Sequence, residues 1–120
     1  MITANIGNLM DKEFFPKIIS KLPKADIPIQ GLSSYLFQGN DQQILFMEFG
    51  NEIEVPEHSH GAQWGVVLSG EIELTIDGQS FNFTKGDTYF IPANTKHSAK
   101  IKAGYKDVTL FDQKDRYTEK

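Results

Sequence analysis

From residue 32 onward, apolar and polar residues alternate along the chain with the period of a β-strand. The run 71–77 alternates without a fault, and Asp77 and Gly78 at its end suit a two-residue hairpin turn of the primed type. The same pattern predicts further strands at 32–38, 43–49, 88–91, 97–102 and 105–111. Short strands separated by turn signals at intervals of about ten residues indicate an all-β sandwich or barrel.

One segment near the N-terminus has helical periodicity instead. Within residues 11–22, Phe14, Ile18 and Leu22 recur at every fourth position, which places them in one apolar stripe. Pro16 weakens this prediction, because proline removes a helix hydrogen bond when it lies beyond the first turn. We expect a short N-terminal helix whose stripe packs on the body of the protein, with a dimer contact as the alternative use of that stripe.

A length of 120 residues provides for one domain with one core. We expect an N-terminal helix and extension over 1–30, a β-barrel over 31–112 and a loose, polar tail over 113–120. The chain contains no cysteine, which excludes disulfides, thiolate metal sites and cysteine nucleophiles.

The charge balance narrows the choice of partners. The chain has 12 basic and 16 acidic residues and a net charge of −4, and Arg116 is its one arginine. Binding to a phosphate backbone requires clustered lysine and arginine, so we expect no nucleic-acid partner. No run approaches the ~20 apolar residues of a membrane span, and no export signal is visible, so we expect a cytoplasmic protein without a membrane partner.

The three histidines of the chain are its main candidates for chemistry. His58 and His60 are two residues apart, a spacing that in a strand directs both imidazoles to the same side. His97 opens a predicted strand in which Ala99 and Ile101 share its face, so it should face an apolar interior. Buried imidazoles need partners for one donor and one acceptor each. One metal ion bound by all three would satisfy them; the alternative is three core histidines that only form hydrogen bonds.

The stretch from Gly50 to Ile101 resembles the two signature motifs of the cupin superfamily. The residues that carry the resemblance are His58, His60, Gln63 and Gly70 for the first motif, and Gly86, Pro92 and His97 for the second. The resemblance implies a cupin barrel, which is a jelly-roll-like double-stranded β-helix, and a metal held by the three histidines. The sequence departs from the motifs at Gln63, where the family has a glutamate ligand, at Asn94, where it has a glycine, and at Ile101, where it has an asparagine.

The resemblance also implies a cofactor, namely one divalent transition metal ion. Imidazole ligands suit iron, manganese, nickel, zinc or copper, and the sequence does not choose among them. Gln63 either coordinates the ion through its amide oxygen or forms only hydrogen bonds in the pocket. A neutral ligand set leaves the charge of the ion uncompensated, which favours an anionic ligand in the open positions.

Small cupins that act on unsaturated uronates are similar in having a glutamine at the metal site, and they carry an Asp, a Phe and an Arg near the last strand. Here Phe111 and Arg116 occupy that region, whereas Thr109 stands where the Asp is expected. The three-histidine set also resembles that of cupin dioxygenases. The expected function is thus a metal-dependent enzyme for a small anionic or sugar-derived substrate, of the dioxygenase or the uronate lyase or isomerase type. The alternative is a binding or sensing cupin without catalysis.

Four residues are candidates for the substrate pocket. Tyr35 and Tyr89 each offer a hydroxyl, although both also fit the packing of a strand, and Thr109 and Phe111 lie on the last predicted strand. Trp64 has the opposite parity to the neighbouring glutamine, which predicts a role in core packing. No residue is assigned a catalytic role at this point. We expect a homodimer, because small barrels have open sheet edges that pairing would cover.

Overall fold

The computed structural model describes residues 13–120, and these form an all-β fold. The strands are β1 (Leu32–Gln38), β2 (Gln43–Phe49), β3 (Ile53–His58), β4 (Gln63–Ser69), β5 (Glu71–Ile76), β6 (Gln79–Thr84), β7 (Thr88–Ile91), β8 (His97–Ile101) and β9 (Lys106–Phe111). The six ranges predicted from hydrophobic alternation agree with β1, β2, β5, β7, β8 and β9 to within one residue, whereas no bounds were predicted for β3, β4 and β6. The predicted all-β class is confirmed.

The strands form two antiparallel sheets that face each other across the core. One sheet has the order β1-β2-β9-β4-β7 and the other the order β3-β8-β5-β6. The hairpin between β5 and β6 turns through Asp77 and Gly78, whose φ angles of 49° and 80° are those of a primed turn. The inward faces of both sheets supply the buried core, which includes Leu36, Leu45, Val67, Leu74 and Ile91.

The predicted N-terminal helix is shorter than its sequence pattern suggests. Helix α1 spans only Lys17–Ser20, and Pro16 before it is extended, with φ −66° and ψ 166°. Proline disfavours the helical conformation of the residue before it, so the helix does not extend back through Pro16 and begins after it. Ile18 is 71% exposed and Phe15 is buried, so the predicted packing of one apolar stripe is wrong. The part of the prediction over 11–12 lies outside the described residues, and no helix of the described chain is long and apolar enough to cross a membrane.

The C-terminal tail is fastened to the barrel, contrary to the expectation of a loose segment. The fully buried amide of Gln43 donates to the carbonyl oxygen of Tyr117 at 2.7 Å and accepts from the N–H of the same residue at 3.0 Å. The N–H of Asp26 donates to the carbonyl of Thr118 at 2.7 Å. A buried amide needs such partners, and the tail backbone supplies them. This attachment holds Arg116 against the interior of the barrel.

Candidate metal centre

Two neighbouring strands and one loop bring the three histidines together. β3 ends at His58 and β8 begins at His97, and these two residues are cross-strand partners. His60 lies beyond the end of β3, in the loop that leads to β4. The prediction that His58 and His60 share one strand face is therefore wrong, because the strand stops before His60. The loop is held by the N–H of Asn94, which donates to the carbonyl of His60 at 2.8 Å.

Asn94 occupies the position where the cupin motif has a glycine. Its φ of 60° lies in the left-handed region, which asparagine tolerates better than most residues. This turn conformation directs the Asn94 N–H to His60, so the departure from the motif preserves the backbone geometry of the site.

The outer ring nitrogen of each histidine is bonded to a main-chain carbonyl. The Nδ1···O pairs are His58 with Pro56 at 2.8 Å, His60 with Gly61 at 2.7 Å, and His97 with Thr95 at 2.8 Å. A carbonyl oxygen can only accept, so Nδ1 carries the proton in all three rings. In the neutral rings each Nε2 is then left with a lone pair, which is the form that binds a metal ion.

These Nε2 atoms converge. The Nε2 atoms of His60 and His97 are 3.1 Å apart, and one nitrogen of each of the three rings lies within 4.8 Å of the others. With both protons on Nδ1, the close pair cannot share a hydrogen bond, and its lone pairs repel each other. Two nitrogens bound at right angles to one ion at ~2.1 Å are about 3.0 Å apart. The separation and the donor chemistry both fit a single metal ion.

Burial favours the neutral form of two of these imidazoles, His60 and His97. It lowers the pKa of His60 to about 4, and the nearby charge of Arg116 adds to the effect, although the hydrogen bond to the Gly61 carbonyl opposes it. The pKa of His97 is lowered as well, again chiefly by burial. Neutral imidazole is the ligand form, so protons compete weakly with a metal at these two rings.

The histidines line a cavity of about 330 Å³ that lies between the two sheets. Most of its wall is apolar, and the segment 27–29 contributes part of it. Gln63, at the start of β4, also lines the cavity, and its Nε2 donates to the hydroxyl of Tyr89 at 3.3 Å. Its Oε1 is therefore available to the interior. A role of Gln63 as a metal ligand stays a prediction.

The structure places two of the four predicted pocket residues at this cavity. Tyr89 and Phe111 line it. Tyr35 does not line the cavity. Its two neighbours in β1 are buried and face inward, whereas the ring of Tyr35 packs against Phe15 on the outer side of the sheet, with centroids 6.2 Å apart. Thr109 points inward and is fully buried, but it lies behind the cavity wall rather than at its surface. The predictions for Tyr35 and Thr109 are corrected accordingly.

The sequence reasoning missed one acidic residue of the cavity wall, Asp107. This side chain is 2% exposed, and its Oδ2 accepts hydrogen bonds from the hydroxyls of Tyr105 at 2.8 Å and Tyr89 at 3.5 Å. Burial raises its pKa to about 7, although the two hydroxyls oppose the shift. The alternation of the last strand carried the signal, since Asp107 has the same inward parity as Phe111.

A cation lines the cavity as well. Arg116 stacks on the ring of Tyr117, with 4.5 Å from the guanidinium carbon to the ring centroid, and both side chains line the cavity. The charge of Arg116 lowers the pKa of both His60 and His97, so it acts at the histidine cluster. Its Nε is buried and has no hydrogen-bond partner within residues 13–120. The arginine was noted in the sequence, but its position depends on the fastened tail.

Comparison with known proteins agrees with this geometry. The family model for the cupin domain matches residues 45–112. An RmlC-like cupin from Shewanella frigidimarina superposes with a TM-score of 0.69 at 23% identity, over 87% of this chain and 93% of its own. KdgF from Halomonas gives 0.66 at 21% identity, over 77% and 86%. An oxalate decarboxylase variant from Bacillus subtilis gives 0.66 at 18%, over 80% and 29%. No curated protein matches the chain. At these identities the structural likeness shows the fold.

Proposed function

The chain belongs to the cupin family, and on that premise we propose that it is a metal-dependent enzyme that acts on a small organic anion. The divalent metal ion is held by His58, His60 and His97. The observation that carries the proposal is the convergence of the Nε2 lone pairs, since the Nε2 atoms of His60 and His97 are 3.1 Å apart. All three Nδ1 atoms are already bonded to carbonyls, so each ring offers the cavity only an acceptor.

The charges in the cavity support an anionic ligand. Three imidazoles are neutral donors, so a bound divalent ion keeps its full charge, and Arg116 adds a positive charge on the same wall. Such an ion acts as a Lewis acid on an oxygen ligand. Arg116 binds the carboxylate of the ligand and orients it, because its guanidinium presents several donors in one plane.

The walls of the cavity set the size and surroundings of the ligand. A volume of about 330 Å³ is at the small end of the range for ligand pockets, ~300–1,000 Å³. Ile91 and Phe111 are among its apolar residues and exclude water around the metal site. An oxalate decarboxylase is among the structural neighbours, and its name refers to a small dianion, which supports the proposal of a small organic anion as the ligand.

The proposal predicts a specific loss of anion affinity in the Arg116→Gln variant. Titration calorimetry of the metal-loaded protein with short-chain carboxylates should give affinities about 10- to 100-fold lower than those of wild type, because a buried charge-assisted hydrogen bond is lost. Lys114→Gln is the matched control, since it removes the same charge from the same tail outside the cavity. Equal losses in both variants would indicate only a long-range charge effect and would contradict the assigned role of Arg116.

A turnover assay separates the enzyme from a binding module. Metal-loaded wild-type protein is incubated with uronates, dicarboxylates and diketones, and consumption is followed by mass spectrometry. Turnover that requires His97 supports an enzyme. Tight binding of a carboxylate without turnover across the panel would favour the non-catalytic cupin instead.

A further inference from the structure

We propose that Asp107 forms a second polar subsite of the cavity, which binds a hydroxyl group of the anionic ligand. The inference rests on the proposed function, because the anionic end of the ligand is held at the metal and Arg116. It adds the chemical class of the ligand, a hydroxy acid rather than a simple carboxylate.

The two carboxyl oxygens of Asp107 have different surroundings. Oδ2 accepts from the hydroxyls of Tyr105 and Tyr89. Oδ1 is fully buried, and across the described chain it has no hydrogen-bond partner. Asp107 itself lines the cavity that contains the histidines. A buried carboxyl oxygen without a partner is costly and rare in folded proteins. A ligand group in the cavity is the partner that this geometry points to.

The chemistry of the carboxyl selects a hydroxyl as that group. Burial brings the pKa of Asp107 to about 7, so both protonation states are present near neutral pH. Ionised Oδ1 accepts a hydrogen bond, whereas protonated Oδ1 donates one. A hydroxyl satisfies both states because it is a donor and an acceptor. A ligand amine would satisfy only the ionised state, and a ligand carbonyl only the protonated one.

A chain of hydrogen bonds joins this subsite to the metal side of the cavity. Gln63 donates to Tyr89 at 3.3 Å, and Tyr89 in turn donates to Asp107 at 3.5 Å. Tyr89 lines the cavity between these two polar groups. A ligand that contacts the metal with its carboxylate and Asp107 with its hydroxyl therefore follows a wall that is already polar.

The test compares ligands that differ by one group. Metal-loaded protein is titrated at about pH 8.5, where Asp107 is ionised, with a series of alkanoates and with the matching ω-hydroxy and ω-oxo acids. In wild type, the hydroxy acid of one chain length should bind about tenfold more tightly than its alkanoate, and the oxo acid should gain nothing. In Asp107→Asn, the tyrosine hydroxyls keep the amide oxygen, so the NH₂ faces the cavity. The oxo acid, which accepts from it, should then gain affinity as well, and the advantage of the hydroxy acid over the oxo acid should disappear.

Thr109→Val is the matched control for this experiment. Thr109 lies two residues along the same face of β9, and its Oγ1 is also buried with no partner among the described residues, but it does not line the cavity. Its variant should keep the hydroxyl preference of wild type. A hydroxyl preference that is missing in wild type, or an oxo acid that still gains nothing in Asp107→Asn, overturns the subsite. If no alkanoate binds at all, the anion-binding function itself has failed, which is a separate outcome.

A second inference comes from the outer face of the five-stranded sheet. One cross-strand row joins five apolar residues, Phe37, Ile44, Leu110, Trp64 and Phe90, through the registers of all five strands. Phe37, Trp64 and Phe90 are 52%, 42% and 58% exposed. Core packing was predicted for Trp64, and this is wrong because the residue lies on the outer side of its sheet. Phe15 covers part of this face at Tyr35 and Phe46, but the apolar row lies beside that contact and three of its residues are exposed, which indicates a contact surface.

We infer that this face binds a second copy of the chain. Beyond the apolar row, the same face carries Glu48 on β2 opposite Lys106 on β9. A two-fold rotation places the lysine of one copy near the glutamate of the other, so the face is complementary in charge to itself. This gives the expected homodimer a sheet face as its interface instead of the sheet edges. The edge of strand β1 is already partly paired, because Tyr35 forms an isolated antiparallel β-bridge with Lys24.

Trp64 is the one tryptophan of the chain and reports on this face directly. Sedimentation of the full chain should give twice the mass of 13.5 kDa, and dilution should shift the Trp64 emission to longer wavelength as the mass falls. Phe90→Lys should weaken dimerisation at least about 100-fold, because it buries an unpaired charge. Asn82→Lys, at an exposed site on β6 of the other sheet, adds the same charge and should leave the dimer intact. A monomeric wild type, or an emission that does not change with concentration, overturns the inference.

Discussion

His97→Ala protein is expected to lose its metal. Purified wild type should contain about one transition metal ion per chain, whereas the variant should contain less than about 0.1, with an affinity lower by at least about 100-fold. The ring of His97 provides the Nε2 that lies 3.1 Å from that of His60 and is the most buried of the three. Removing it leaves two imidazoles, a donor set too small to hold the ion against buffer and chelators.

Added metal should also stabilise the fold of wild type, but not that of His97→Ala. Metal at 100 times its dissociation constant adds about 2.7 kcal/mol to the free energy of unfolding, which corresponds to roughly 10 °C in Tm for a chain of this size. Thermal unfolding with added metal and with a chelator measures this difference. Ser98→Ala, the neighbouring residue of opposite parity on β8, should behave as wild type. Equal metal content in wild type and His97→Ala would refute the metal centre.

Gly65→Ala is expected to cause the largest loss of stability in the barrel. A Cβ at residue 65 would lie 2.3 Å from Cζ and 2.5 Å from the hydroxyl oxygen of Tyr89, far inside van der Waals contact. Tyr89 is buried in the core and cannot move aside without leaving its hydrogen bonds to Gln63 and Asp107. We expect a loss of about 3 kcal/mol or more in the free energy of unfolding, as for severe overpacking. Urea unfolding measures it.

A double-mutant cycle shows whether the Tyr89 ring is the cause. Tyr89→Leu removes the atoms that the new methyl group would meet, so Gly65→Ala should cost much less in that background. Additive losses would mean that the strain arises elsewhere in β4. Thr109→Val, across from Gly65 on β9, is the packing control and should leave stability unchanged or raise it slightly, because it removes a buried hydroxyl that has no partner among the described residues.

Alternation along the chain was sufficient to predict the bounds of six strands, because each sheet has one inward face and burial imposes a period of two. The same parity correctly directs His97 into the interior. It fails for His60, since β3 ends two residues earlier and a loop sets the direction of that ring. Tyr35 was a pocket candidate for its hydroxyl alone, and its ring packs against Phe15 on the outer side of the sheet instead.

Other features of the site depend on contacts that no local pattern encodes. The tail is polar, and nothing in its composition indicates that Gln43 on a distant strand binds its backbone. Arg116 could therefore be recognised as an unusual residue but not placed at the cavity. Asp107 could not be predicted for a different reason. The alternation of β9 indicates that its side chain faces inward, but a carboxyl can be buried there only because the hydroxyls of Tyr89 and Tyr105 donate to it, and these contacts are not visible in the local sequence.

The fastened tail has a consequence for how ligand selectivity in this protein can change over evolution. Tyr117 and Thr118 anchor the tail through backbone atoms, so the anchoring hydrogen bonds do not depend on the tail's side chains. Position 116 next to these anchors presents its side chain to the cavity. A single codon change there exchanges the cation of the binding site and leaves the backbone anchors and the three histidines in place, while it removes a charge that lowers the pKa of His60 and His97. Selectivity for the anionic end of a ligand can thus diverge between related proteins in the tail while the metal ligands stay the same.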